Sequence, residues 1–199
     1  MTRDTDLDRT GNQDDDAVNG FDRTAFEELV EAISPDAGQE RLKFRVTTHW
    51  TGRTRSETVI DHYEIGGKRI DRRFKVVADE PHALGGLDSG PNPQELLMSG
   101  LNACMLIGYV TNAALKGISL HTLDIETTGQ LDMRGFLGVS PDVRPGTQRI
   151  DYTVRIGGTG TDDQFCAIHQ AVMARSPNYF DLSQPIRMTG RLEIVSRPE

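Results

Sequence analysis

The chain has 199 residues, of which 36% are hydrophobic, 26% charged and 6% aromatic, and its net charge is −8. That length holds one domain, or one half of an intertwined dimer, and excludes a string of independent enzymes. No run of Lys and Arg is interleaved with aromatics, which argues against a nucleic-acid partner, and two cysteines are too few for a disulfide framework.

Residues 1–20 hold six Asp against two Arg, so half of the excess charge sits in a stretch with almost nothing apolar to bury. The expectation is a disordered acidic tail ahead of a single domain over 21–199. The N-terminus shows no basic start followed by an apolar stretch, and the expected location is the cytoplasm.

Phe26, Leu29, Val30 and Ile33 recur at helical spacing behind Asp22, a good N-cap, and Ser34-Pro35 ends that short amphipathic helix. From Arg41 the period becomes two. Leu42, Phe44, Val46 and Thr48 alternate with polar residues as in a half-buried strand, and 51–54 reads as a turn. Further strands over 58–65 and 69–77, separated by Gly66-Gly67, complete an antiparallel meander.

Residues 79–93 carry Pro81, Gly85-Gly86 and Gly90 and read as a loop. A helix over 92–116 follows, with Asn92 as cap, Pro93 at the first position, Glu95 in the first turn and Lys116-Gly117 as the stop. Leu96 to Leu115 contains no charge, a length that a membrane span requires. The polar Ser99, Asn102, Thr111 and Asn112, with strand patterns on both sides, favour a core helix covered by sheets or by a partner subunit. Its small residues Ser99, Gly100, Ala103 and Gly108 let another helix approach closely.

Strands are expected at 122–133 and 149–156, then a helix over 162–174 with Phe165, Ile168 and Val172 on one face, stopped by Pro177. A last strand is expected at 186–195. Strands and helices do not alternate regularly, so the class is α+β.

The stretch Gly85-Gly86-Leu87-Asp88-Ser89-Gly90-Pro91-Asn92-Pro93-Gln94-Glu95-Leu96-Leu97, continued by Leu101-Asn102-Ala103-Cys104, resembles the family of osmotically induced protein C and organic hydroperoxide resistance protein (OsmC/Ohr). His49-Trp50-x-Gly52 extends the likeness towards the N-terminus. The resemblance implies an OsmC-like fold, with antiparallel sheets wrapped around two central helices in an intertwined homodimer and active sites at the subunit interface. It also implies Cys104 as the reactive thiol, a small hydroperoxide as substrate and an external thiol as reductant.

A thiol reduces peroxides as the thiolate, which a neighbouring cation favours. The family places an Arg from the loop after the first strand beside the cysteine, and Arg53 and Arg55 are the candidates here, with Arg53 preferred. The family's catalytic Glu follows Asn-Pro directly, where this chain has Gln94. Glu95 is one position on, and one residue turns a helical side chain by about 100°. The family's resolving cysteine precedes a Pro after the second helix, and the corresponding pair is Ser176-Pro177. Cys166, ten residues earlier, is expected to be a small core residue.

His49, His62, His82, His121 and His169 show no metal-ligand spacing, and no cofactor is implied. Two functions follow. One is hydroperoxide reduction by a one-cysteine mechanism at Cys104, in oxidative stress defence. The other is a non-catalytic domain that binds a small apolar or thiol-reactive ligand at the dimer interface; an interaction protein acting through its acidic tail is a variant of that second class.

Overall fold

The computed structural model describes residues 17–33 and 41–195. Most of the acidic tail lies outside those residues. Val18–Gly20 forms a single 3-10 turn, and Asn19 donates from Nδ2 to the Ile118 carbonyl (2.9 Å) while its Oδ1 accepts from the Leu120 N–H (2.8 Å). Ordered structure is therefore present ahead of residue 21, the expected boundary. Helix α1, Arg23–Ala32, is capped by the Asp22 carboxylate, which accepts from the Ala25 N–H at 2.8 Å. None of its residues is buried.

The meander is a four-stranded antiparallel sheet of β1 (Leu42–Phe44), β2 (Thr47–Gly52), β3 (Arg55–Ile65) and β4 (Lys68–Ala78). The expected first strand is broken between Phe44 and Thr47, and both pieces lie along β3, whose other edge takes β4. Its apolar side chains are not half-buried as expected: Phe44 is 65% exposed and Trp50 77%. Among the described residues no helix covers that sheet substantially; the helices with extensive contacts pack among themselves and on the second sheet.

Helix α2, Pro93–Leu115, starts in a capping box and ends in a left-handed Gly117 (φ 69°). There the Ile118 N–H reaches the Ala113 carbonyl (2.9 Å) and the Gly117 N–H the Ala114 carbonyl (3.0 Å), the paired bonds of a Schellman motif. It is the one helix among the described residues long and apolar enough to cross a membrane, yet it packs on β5 (Leu120–Gln130), α4 (Asp162–Arg175) and α5 (Pro177–Ser183). Leu101, Met105, Tyr109 and Ala113 on its buried face meet Ile168 and Val172 of α4. Each fully buried aliphatic side chain contributes about 1.5–3 kcal/mol.

β5 pairs antiparallel with β6 (Arg149–Gly158), joined by a long connection that carries the short α3 (Met133–Phe136). β5 thus ends before the expected Met133. Pro177 follows the end of α4 as expected and also starts a helix: with Ser176 as N-cap it occupies the first turn of α5, a position where its missing N–H costs nothing. No strand forms at 186–195. Met188 there is 91% exposed, and alternation makes a strand only where a neighbouring edge supplies hydrogen bonds, which none does here.

Candidate active site

Cys104 is a free, half-buried thiol in the middle of α2. The Ser176 hydroxyl donates to its sulfur at 3.3 Å, and Ser176 itself is buried. Three contacts fix that serine. Its N–H closes α4 on the Val172 carbonyl (2.8 Å), its Oγ accepts from the Tyr179 N–H (3.4 Å), and Asn178 Nδ2 beside it donates to the Gly100 carbonyl of α2 (2.8 Å). A Cβ on Gly108 would stand 3.2 Å from the Val172 Cγ2. The small residues of α2 do admit a close neighbour, and that neighbour is the α4–α5 junction of the same chain.

Glu95 is not brought to the thiol. Its carboxylate accepts from the Asn92 N–H (2.8 Å) while the Asn92 side chain accepts from the Glu95 N–H (2.8 Å), a completed capping box. Nine residues of helix rotate by about 900°, so Glu95 and Cys104 face opposite sides of α2. Gln94 accepts a hydrogen bond from the Thr147 hydroxyl at 3.4 Å.

The two candidate arginines sit at the β2–β3 turn. Arg53 takes a left-handed conformation (φ 49°) after Gly52 (φ 117°), and its carbonyl accepts from the Trp50 indole N–H at 2.7 Å. A non-glycine residue there carries strain of about 1 kcal/mol. Arg55 is engaged by Glu57 (3.1 Å) and the Thr51 hydroxyl (2.9 Å), whereas the Arg53 side chain forms no ion pair among the described residues. Within one chain no hydrogen bond or ion pair links either arginine to Cys104.

Cys166 is exposed, in contrast to the expected core position. Ile168 and Val172 set the buried face of α4, and residue 166 is about 200° of helix rotation from residue 168. It lines a cavity of about 580 Å³ together with Tyr109, Tyr152, Phe165, His169 and Met173. The Tyr109 hydroxyl, buried in the core, is hydrogen-bonded to His169 Nδ1, and burial pushes its phenol well above the ordinary value. Sixty residues separate that pair, and no local pattern announces it. Among the described residues no cluster of three or more His, Cys, Asp or Glu side chains could hold a metal ion.

A second feature missing from the sequence reading is Asp79, 1% exposed at the end of β4. Its Oδ1 accepts from the Thr54 hydroxyl (2.7 Å) and the Glu80 N–H (2.9 Å). Its Oδ2 accepts from the Ser89 hydroxyl (2.7 Å) and from the N–H groups of Leu87 and Ser89 (both 3.2 Å). The hydroxyls of Thr54 and Ser89 do most to hold this carboxyl well below the usual carboxylate range, with the backbone donors adding to them. The signal available in the sequence was an Asp at a strand end followed by Gly85-Gly86 and Ser89, residue types suited to a tight loop around a carboxylate.

The sequence model of the OsmC-like protein family matches residues 86–190, which include the α2 motif, Cys104 and Ser176. No curated protein matches by sequence. Among solved structures, an OsmC-like protein from Mycoplasma pneumoniae superimposes with a TM-score of 0.56 at 20% identity, over 71% of this chain and 87% of its own. A protein from Psychrobacter arcticus, named for osmotic stress induction and detoxification response, gives 0.51 at 14% identity, over 67% and 84%. The α+β architecture agrees with theirs, and the chain belongs to the OsmC-like protein family.

Proposed function

We propose that the protein reduces small organic hydroperoxides at Cys104 by a one-cysteine mechanism, in defence against oxidative stress. The observation that carries this reading is the Cys104–Ser176 contact: a free, partly exposed thiol faces a hydroxyl donor at 3.3 Å, where no second sulfur stands. The thiolate attacks the distal peroxide oxygen, the O–O bond breaks, and the alkoxide leaves as the alcohol after taking a proton. Cys104 becomes a sulfenic acid. An external thiol condenses with it, releasing water, and a second thiol exchanges to free the cysteine.

In this reading the protein works as a cytoplasmic homodimer. Phe44, Trp50 and Phe74 of the meander and Leu97, Leu106 and Ile107 of α2 are apolar surfaces that one chain leaves open. Docking the meander of one chain over the helices of the other covers both and carries the Arg53 turn to the partner's thiol. The guanidinium of Arg53 then favours the charged form of the sulfur.

One observation favours a second reading, a non-catalytic domain that binds a small apolar or thiol-reactive ligand. Gln94 stands where a carboxylate is expected, and the neighbouring Glu95 is committed to its cap. Mass spectrometry after brief exposure to cumene hydroperoxide, followed by sulfenic acid trapping, decides between them. The peroxidase reading expects rapid, selective trapping at Cys104 and turnover with dithiothreitol that C104S abolishes. Unmodified Cys104 would leave the binding domain.

A further inference from the structure

The Asp79 carboxylate joins two segments that are far apart in sequence. Through Thr54 it holds the β2–β3 turn, in which Arg53 is the adjacent residue. Through Leu87 and Ser89 it holds the loop that leads into α2. Its own N–H donates to the Pro91 carbonyl (3.3 Å), one residue before the Asn92 cap and three before Gln94. All five bonds to its oxygens come from hydroxyls and backbone N–H groups, so the buried charge is met by fixed dipoles and by no cation.

The loop is closely fitted to this centre. A Cβ on Gly86 would fall 1.6 Å from the Glu80 carbonyl oxygen, and one on Gly90 would stand 3.1 Å from that of Val77. On the other side, the left-handed Arg53 is held between the Trp50 indole on its carbonyl and the Thr54 hydroxyl anchored to Asp79. Strained residues persist where their surroundings over-determine them, and here both flanks of the strained arginine are tied.

We propose that Asp79 is a positioning residue that fixes the Arg53 turn and the start of α2 as one body, setting where the guanidinium is presented to the reacting thiol. The proposal rests on the peroxide-reduction reading of Arg53. Asp79 touches no substrate; it acts through Thr54 on one side and Pro91 on the other. Displacement of a positioned group by about 1 Å costs up to about a hundredfold in rate.

Thr54→Val removes only the hydroxyl link and keeps the carboxylate and its other donors, so it tests the coupling with little risk to folding. Amide exchange over 51–55 and at Leu87 and Ser89 is expected to rise together in T54V and to stay parental in T54S. With cumene hydroperoxide and dithiothreitol, T54V should lose about tenfold or more in kcat/KM, and T54S should restore it. Parental exchange in T54V, or raised exchange with unchanged kcat/KM, would overturn the proposal. Absence of turnover in the parent protein counts against the peroxide reading instead, and the exchange experiment then still decides whether the two segments are coupled through Asp79.

Discussion

The hydroxyl of Ser176 and the sulfur of Cys104, 72 residues apart in the chain, lie 3.3 Å from each other. That separation is compatible with a disulfide if the hydroxyl is exchanged for a thiol, since the backbone positions are already held by the α4 end, the α5 cap and Asn178. S176C is therefore expected to form an intrachain bridge to Cys104 after one equivalent of peroxide. Non-reducing peptide mapping reads it directly, and a persistent sulfenic acid with no bridge would show that the side chains cannot align.

Oxidation of the parent protein should give no Cys104–Cys166 bridge. Cys166 stands ten residues before Ser176, about 15 Å along an ideal helix, and its side chain faces the outer cavity. High yield of a peptide linking 104 to 166 would require α4 to unwind or rotate and would restore a two-cysteine mechanism.

Much of this neighbourhood was legible from residue order alone. Asn92, Pro93 and Glu95 announced the start of α2, and Gly117 its end, because caps are local chemistry. Ser176 was singled out through the resemblance, and its hydroxyl lies against the Cys104 sulfur. The same Ser-Pro pair ends α4 as expected, and as a cap followed by proline it also starts α5, which was not expected. Burial on the meander and the last strand were misjudged for another reason. Period-two alternation shows that a face or edge wants covering but not which chain covers it. Asp79 escaped notice because its partners are spread from Thr54 to Ser89, and only folding collects them.

Asp79 also makes stability depend on pH. Its folded carboxyl is held below the unfolded value of about 3.9, so its contribution is fully present above about pH 4 and is lost as the pH falls towards the folded value. D79N should have a lower Tm than the parent at pH 7, and the gap should narrow progressively below pH 4. A gap independent of pH from 7 to 3 would mean that the amide costs stability through packing alone.

Ile168 and Met105 are fully buried where α4 meets α2. Ile168→Ala leaves a cavity in that contact and should cost about 2–5 kcal/mol in urea unfolding, with m unchanged. Cys166→Ala, on the exposed side of the same helix, should stay within about 0.5 kcal/mol. Equal effects would place the helix in a different rotation.

The last prediction separates the two arginines. Arg55 is held by Glu57 and Thr51 on the flank of β3, whereas Arg53 sits at the turn, its backbone pinned and its guanidinium without an ion-pair partner among the described residues. If Arg53 serves the thiol, Arg53→Ala should slow Cys104 oxidation by hydroperoxide about tenfold or more, since a cation beside the sulfur favours the nucleophilic form. Arg55→Ala breaks a partly exposed pair worth at most about 1 kcal/mol and should change the rate by no more than about fivefold. Stopped-flow oxidation at fixed pH measures both variants, with circular dichroism to verify folding. A larger loss in R55A would transfer the role to Arg55, and parental rates in both would remove the turn from the chemistry of Cys104.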